Sequence, residues 1–340
     1  MATRPLNSLS RRSALALLAG LVLLAPSASF AQSGPLPQEA LVDPLDGHSF
    51  SVSVVPSVNS LGGMDSDGCS YSSGTQVRTF AVATSPTSLY SARIEEWGLG
   101  VTKKNKSALL QLLVPLGADV GNAANLQPSE RYELAAAVAE QLGRDRFAIG
   151  DLFLHAAWTV RDTVVGFLPS VQGSGDAWQK LGELVQMSRS VTHARGRTIA
   201  LFDMARLAHR GGFIHERDGL LQQLDNFEDA GMGAAEKRTE FHARVGAEQR
   251  LLRKARERYL KGVERGDRGP EERALYGYLA ADLARRLGDF SSAEAELAAL
   301  DVDNSVPKEV KGLIADARSV LKVQARSVAA AMQELEGGSK

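Results

Sequence analysis

The chain is poor in cysteine: Cys69 is the single cysteine among 340 residues. One thiol cannot form an internal disulfide, so the sequence excludes the small secreted modules that several disulfides hold together. A zinc site built from several cysteines of one chain is excluded for the same reason. We therefore expect packing to stabilise the fold, and we expect Cys69 to be a small, partly buried side chain.

A long apolar run is also missing. The run at residues 14–25 has 12 residues, whereas a helix that spans a bilayer needs about 20. It follows Arg11-Arg12 and is broken by Pro26, and Ser29-Phe30-Ala31 places small residues at the two positions that a signal peptidase inspects. This order predicts a signal peptide over residues 1–31 and therefore export. The general secretory route and the twin-arginine route both stay open.

An excess of positive charge is absent. The net charge is −1, and the 31 N-terminal residues contain Arg4, Arg11 and Arg12 but no acidic residue, so the exported part carries −4. A mildly acidic protein has no electrostatic attraction to nucleic acid or to anionic lipid. We therefore expect no nucleic-acid partner and no stable membrane insertion once the signal peptide has been removed.

The common catalytic and nucleotide-binding motifs are missing as well. The sequence has no Gly-x-Ser-x-Gly, no His-Glu-x-x-His, no Gly-x-x-x-x-Gly-Lys and no Gly-x-Gly-x-x-Gly between a strand and a helix. Ser319-Val320-Leu321-Lys322 fits Ser-x-x-Lys, but it lies in a predicted helix without the partner motifs of such sites. We expect no catalytic residues, although the sequence leaves enzymatic activity undecided.

The exported chain divides into a small β-rich module and a helical part. After a linker at residues 32–41, the segment 42–97 contains two alternating patterns, around Phe50 and around Val82. Alternation of apolar and small polar residues is typical of half-buried strands. We expect these two strands to pair antiparallel, with a loop rich in Gly, Ser and Asp between them. Residues 98–127 are interpreted as a connecting segment.

Two turns in this module have the spacing of zinc knuckles but no cysteine. Asp43-Pro44-Leu45-Asp46 precedes the first strand and Ser85-Pro86-Thr87-Ser88 follows the second, so the expected pairing would bring the turns together. In a zinc ribbon, cysteine would occupy the first and last position of each turn. The ligand positions here are Asp43, Asp46, Ser85 and Ser88. Because Asp and Ser accept hydrogen bonds from backbone N–H groups in turns, we expect a metal-free module.

A calcium site is the alternative at this module. Asp65 and Asp67 are secondary oxygen ligands in this interpretation, and carboxylates with hydroxyls suit Ca²⁺ better than Zn²⁺. Asp65-Ser66-Asp67-Gly68 is similar to the start of a calcium loop, but the glutamate that closes an EF-hand loop is missing. We expect no cofactor, and bound Ca²⁺ or residual zinc remains the alternative.

Residues 128–340 have helical periodicity. The residues of one tetratricopeptide-like hairpin are Tyr276, Ala280, Ala281, Ala284, Gly288, Asp289, Phe290, Ala293 and Leu297. Gly211-Gly212-Phe213 looks like a decayed second copy, in which Glu216 replaces the alanine after the aromatic residue. The predicted fold class is α+β, mostly α, with a β-ribbon module followed by an irregular array of helical hairpins.

Several short motifs follow one another along most of the exported chain. They are Pro44-Leu45-Asp46-Gly47, the loop from Gly62 to Asp67, the Ser85 to Ser88 turn with Tyr90, Ala156-Ala157-Trp158 with Arg161, and the hairpin from Leu283 to Ala293. In this order they resemble an uncharacterised bacterial family, domain of unknown function 2225. The resemblance implies a cysteine-rich N-terminal module followed by tetratricopeptide-like helices, in a bacterial protein. Together with the predicted export, this gives an expected location in the periplasm or outside the cell. Here the implied ligand positions carry Asp or Ser, so the resemblance implies an architecture and no activity.

These observations favour an exported, non-catalytic scaffold that binds another protein. Stacked helical hairpins take up a helix or an extended peptide on their surface. The aromatic side chains of the possible binding face are Phe202, Phe213, Tyr259, Tyr276 and Tyr278, and packing in the core is the alternative for each of them. The alternative function is a metal-binding or hydrolytic protein whose site lies in the N-terminal module.

Overall fold

The computed structural model describes residues 35–120, 122–166, 170–224 and 233–337. The predicted signal peptide, residues 1–31, lies outside the described residues. Within the described part the protein is mostly helical, with ten α-helices and a few short strands in small sheets. The predicted class, α+β and mostly α, is therefore confirmed. None of the described helices is both long enough and apolar enough to cross a membrane.

The strands of the described part form three small sheets. They are β1 (Gln38–Val42), β2 (Ser49–Ser53), β3 (Gly63–Met64), β4 (Ser70–Tyr71), β5 (Val82–Thr84), β6 (Ser91–Arg93) and β7 (Val171–Gln172). β1 pairs with β2 and β5 with β6, both antiparallel, and β3 lies between antiparallel β4 and parallel β7. The predicted pairing of the Phe50 strand with the Val82 strand is wrong, because each pairs across its own turn. A short hairpin loop costs less chain entropy than joining strands about 30 residues apart.

The described part has ten helices, and all but the first lie in the segment 128–340, which was predicted to be helical. They are α1 (Lys103–Val120), α2 (Pro128–Gln141), α3 (Arg146–Val165), α4 (Gly173–Ser188), α5 (Ala194–Gly211), α6 (Ile214–Gln223), α7 (Ala234–Arg265), α8 (Pro270–Arg286), α9 (Phe290–Val302) and α10 (Lys308–Gly337). At the start of α2, the Glu130 carboxylate accepts a hydrogen bond from the Gln127 N–H at 2.7 Å. This contact satisfies one of the N–H groups that a helix start leaves without a partner.

Helix α1 lies in the segment 98–127, so the interpretation of that segment as a plain connection is corrected. Pro115 lies inside α1, and a proline in a helix interior costs about 3 kcal/mol. Leu109 and Leu113 are almost completely buried in the same apolar cluster as Tyr90 of the β-module. Burial of this helix face stabilises α1 in spite of the proline, because tertiary packing outweighs local propensity.

Several pairs of consecutive helices pack against each other, and the most extensive packing joins α3 and α7, which are not consecutive. α3 packs along the long helix α7 and against α2, while α8 packs against both α7 and α9. The predicted tetratricopeptide-like hairpin is α8–α9, in which Ala281, Ala284 and Ala293 are fully buried in one apolar cluster. Between these helices Gly288 has φ +84°, a left-handed conformation that glycine adopts without strain.

Candidate functional site

The two predicted knuckle turns have the same backbone geometry. In each turn the first N–H donates to the carbonyl oxygen five residues later, from Asp43 to His48 at 2.8 Å and from Ser85 to Tyr90 at 2.8 Å. Leu89 has φ +61° at the position where the first turn has a glycine. A non-glycine residue in this region is uncommon and costs free energy, so packing must hold the second turn in place.

The side chains at the predicted ligand positions accept equivalent backbone hydrogen bonds in both turns. At the first position, Asp43 Oδ1 accepts from the N–H groups of Leu45 (2.6 Å) and Asp46 (3.4 Å), and Ser85 Oγ accepts from those of Thr87 (3.2 Å) and Ser88 (3.3 Å). At the last position, Asp46 Oδ1 accepts from the His48 N–H (2.8 Å) and Ser88 Oγ from the Tyr90 N–H (3.1 Å). Oxygen atoms therefore order both turns locally.

Hydroxyl groups of the second turn also reach a carboxylate of the first. Ser85 Oγ donates to Asp43 Oδ2, Ser88 Oγ donates to the same atom at 2.5 Å, and Thr87 Oγ1 lies 3.4 Å from it. We call Asp43, Ser85, Thr87 and Ser88 the knuckle clasp. Asp43 is 1% exposed, so these charge-assisted hydrogen bonds lie away from water. Three of the four predicted ligand positions thus meet at one point.

The fourth position, Asp46, lies at the edge of the clasp. Its side chain is exposed, and a hydrogen bond from the Thr87 side chain lowers the pKa of its carboxyl group. The donor set does not fit zinc, because the central carboxylate oxygen already accepts hydroxyl hydrogen bonds and two ligand positions are serines. In the described part of the chain no group of three or more His, Cys, Asp or Glu side chains has the arrangement of a metal site.

The predicted secondary ligands, Asp65 and Asp67, do not join the clasp but face buried arginines. Asp65 accepts from Arg161 Nη1 at 3.1 Å and from Arg210 Nε at 2.8 Å. Asp67 accepts from Arg161 Nη2 at 2.8 Å and from Trp158 Nε1 at 3.1 Å. Guanidinium groups already neutralise both carboxylates and would repel a divalent cation. Their interpretation as calcium ligands is therefore corrected.

These contacts belong to a larger buried cluster that the sequence analysis missed. We call it the arginine socket; it consists of the loop Asp65-Ser66-Asp67, Arg161 of α3, Arg210 of α5, Glu248 of α7, and Asp282, Arg285 and Arg286 of α8. Every one of the charged side chains in it is at most 5% exposed. Four arginines face four carboxylates, so the formal charges of the socket balance.

Ser66 lies at the centre of the socket. Its hydroxyl donates to Asp282 Oδ2 at 2.8 Å and accepts from Arg285 Nη2 at 3.0 Å and Arg286 Nη2 at 3.1 Å. Its carbonyl oxygen accepts from the Tyr278 hydroxyl at 2.8 Å. Helix α8 therefore binds both the side chain and the backbone of the loop.

Neighbouring charges oppose the effect of burial on the pKa of two carboxyl groups in the socket, those of Asp67 and Glu248. Burial acts to raise the pKa of Asp67, but Arg161 and Arg286 lower it well below its usual range. Burial also opposes the ionisation of Glu248, yet Arg161 and His209 lower its pKa to about 2. Burial lowers the pKa of His209 in spite of the Glu248 carboxylate 2.7 Å away. The socket is thus a set of permanent ion pairs, which suits a structural role.

The five aromatic residues predicted for an exposed binding face are all buried. The side chains are at most 8% exposed: Phe202, Phe213, Tyr259, Tyr276 and Tyr278. They therefore pack in the core, the alternative expected for each of them, because burial removes their large apolar surface from water. One of them, Tyr278, also binds the loop of the socket, since its hydroxyl donates to the Ser66 carbonyl oxygen.

A sequence signal for part of the socket was present in the hairpin pattern. Arg210 stands two residues before Gly212, and Arg286 stands two residues before Gly288. Both glycines end a helix with positive φ, at +76° and +84°. Each arginine therefore occupies the same place in the last turn of its helix, and both point to the same loop.

The single thiol, which was expected to be partly buried, is that of Cys69, two residues after this loop. Cys69 is fully buried, and burial raises the pKa of its thiol well above its usual range. A buried, protonated thiol is a poor nucleophile.

Comparisons of the chain with protein-family models, with curated proteins and with solved structures find no match. The resemblance to domain of unknown function 2225 therefore stays a prediction.

Proposed function

We propose that this protein is an exported, non-catalytic scaffold that binds another protein through its helical array. The observation that supports the proposal is the capture of the loop Asp65-Ser66-Asp67 between helices α3, α5 and α8. There side chains from three separate helices bind an acidic turn, in which the Gly68 N–H donates to the Asp65 carbonyl oxygen at 3.0 Å. Helical hairpin arrays bind segments of other proteins in the same way, through side chains from several helices. The captured segment belongs to the same chain.

The loop fills the socket, so a partner protein must use another surface. Three apolar side chains are exposed at one end of the last helices: Leu275 at the start of α8, Val302 at the end of α9 and Leu313 at the start of α10. They are 39%, 79% and 38% exposed, respectively. Successive hairpin helices run antiparallel, which places a helix start beside the end of its neighbour. We propose that this end of the array contacts the partner.

Affinity purification from the producing cell, after chemical cross-linking, tests the proposal. We expect a partner protein to be captured with the native chain and to be lost with the variant Leu275→Asp/Leu313→Asp. The matched control is Val58→Asp/Leu61→Asp, which places the same charges at exposed apolar positions of the β-module. If both variants capture the partner equally well, the last helices are not part of the interface and the proposal is wrong.

Elemental analysis of the same purified protein tests the alternative of a metal-binding module. The proposal predicts no divalent ion in stoichiometric amount. A stoichiometric ion that Asp43→Ala removes would contradict it.

A further inference from the structure

A small cavity lies between the β-module and the helices, apart from both the knuckle clasp and the arginine socket. Its volume is about 120 Å³, and its walls come from β6, α2, α3 and the connection between α7 and α8. Its lining includes apolar side chains, among them Val138, Leu142 and Leu152. It also includes charged groups, among them Arg93, Asp151 and Arg268.

The carboxyl group of Asp151 is held in a fixed orientation at this cavity. Its Oδ1 accepts from the Tyr259 hydroxyl at 2.8 Å, and its Oδ2 accepts from the Tyr276 hydroxyl at 2.9 Å. Both tyrosines are buried. Burial raises the pKa of Asp151, although the two tyrosine hydrogen bonds and the charges of Arg93 and Arg268 act in the opposite direction.

The arginines around the cavity differ in how far they are neutralised. Arg144 binds Glu96 at 2.8 Å, and Arg268 binds Asp145 at 3.1 Å. The ion pair of Arg93 is longer: its Nη1 lies 3.8 Å from a carboxylate oxygen of Glu95, whose side chain is 71% exposed. Arg93 also lies 3.5 Å from His155 Nδ1, and burial lowers the pKa of that histidine to about 3. Neither form of an imidazole is a counter-charge for an arginine, and Arg93 has the longest ion pair among the three arginines that line the cavity.

We propose that this cavity binds a short aliphatic carboxylate, whose charged group lies between Arg93 and Arg268 and whose alkyl chain packs on Val138 and Leu142. The cavity has room for several ordered water molecules, which a short carboxylate would replace. Guanidinium groups bind carboxylates with charge-assisted hydrogen bonds. The apolar wall distinguishes an aliphatic carboxylate from phosphate, which would lose hydration there without gaining a contact. This inference does not depend on the proposed partner protein.

Calorimetric titration of the exported chain tests the proposal with three probes: sodium butyrate, inorganic phosphate and n-butanol. We expect butyrate to bind with a Kd on the order of 1 mM, and we expect phosphate and n-butanol to bind at least about tenfold more weakly, since each lacks one of the two recognised features. The variant Arg93→Gln should weaken butyrate binding at least about tenfold. The matched control Arg250→Gln, on the surface of α7, should leave it unchanged. Phosphate binding as tight as butyrate binding would overturn the proposal.

Two further variants keep the proposal falsifiable if Arg93→Gln fails to fold. Ala139→Leu adds volume at the apolar wall and should weaken butyrate binding. Asp151→Asn removes a carboxylate that repels the ligand, so it should strengthen butyrate binding at neutral pH and reduce the dependence of Kd on pH. The groups that face Asp151 are Tyr259, Tyr276, Arg93 and Arg268. Butyrate binding that none of these variants alters would place the ligand elsewhere.

Discussion

Replacing Asp67 by asparagine removes one negative charge from the arginine socket and keeps the size of the side chain. In the native protein this carboxylate is fully enclosed, at 1% exposure, and it accepts from Arg161 at 2.8 and 3.1 Å and from Trp158 at 3.1 Å. The variant leaves four arginines against three carboxylates. A buried ion pair that loses one partner costs about 3–5 kcal/mol, because the remaining charge stays buried without compensation.

Urea unfolding at pH 7, followed by circular dichroism, measures this cost. The matched control is Asp301→Asn, which removes a carboxylate 2.8 Å from Arg318 that is 45% exposed. An exposed pair of this kind contributes about 0–1 kcal/mol. We therefore expect Asp67→Asn to lower the free energy of unfolding by at least about 2 kcal/mol more than the control does. Equal effects of the two variants would refute the structural role of the socket.

Three further predictions concern the clasp and the pH dependence. Asp43→Ala leaves the hydroxyls of the clasp without their acceptor, so urea unfolding should show that the free energy of unfolding falls by about 1–3 kcal/mol. Asp46→Ala, at the exposed edge, should lower it by less than about 1 kcal/mol. A larger loss for Asp46→Ala than for Asp43→Ala would contradict the assignment of Asp43 as the central acceptor. Cysteine at Asp43, Asp46, Ser85 and Ser88 together should create a site for one Zn²⁺, measured by elemental analysis, and a variant without zinc would show that the turns are not equivalent to knuckles. The pKa of Glu248 is about 2 in the folded protein, below the value of about 4.3 for an unfolded glutamate. The ionised Glu248 therefore stabilises the fold fully above about pH 4.3, and this contribution is lost as the pH falls toward 2. Glu248→Gln should flatten the dependence of unfolding free energy on pH in this window, and an unchanged slope would refute the pKa argument.

The helices and the knuckle turns could be predicted because their signals are local. Helix starts and ends depend on residues within one or two turns, such as Pro128, Glu130 and Gly288. The Pro at the second position and the polar residues at the first and last positions identify each turn in the same way. The two turns were therefore expected to lie close together, and three of the four positions do meet, although the strand pairing from which this was expected is wrong.

The socket could not be predicted from local patterns because its members are far apart in sequence. The loop at Asp65 meets Arg161, Arg210 and Arg285 only after α3, α5 and α8 have packed. The sequence of a carboxylate-rich loop does not show whether the loop binds a cation or arginines of the same chain. The burial of the aromatic residues could not be predicted for a related reason. Helical periodicity identifies an apolar face, but it does not show whether that face contacts solvent or another helix.

Native-state hydrogen exchange at the Asp65 amide tests the central claim most directly, namely that the socket locks the β-module to the helical array. This N–H donates to the Cys69 carbonyl oxygen at 2.9 Å inside the captured loop. If the loop is locked, its amide exchanges only when the whole protein unfolds, at the same free energy as the Leu154 amide in the core of α3. Exchange of the Asp65 amide at a free energy several kcal/mol lower would mean that the loop leaves the socket on its own, and it would contradict the account.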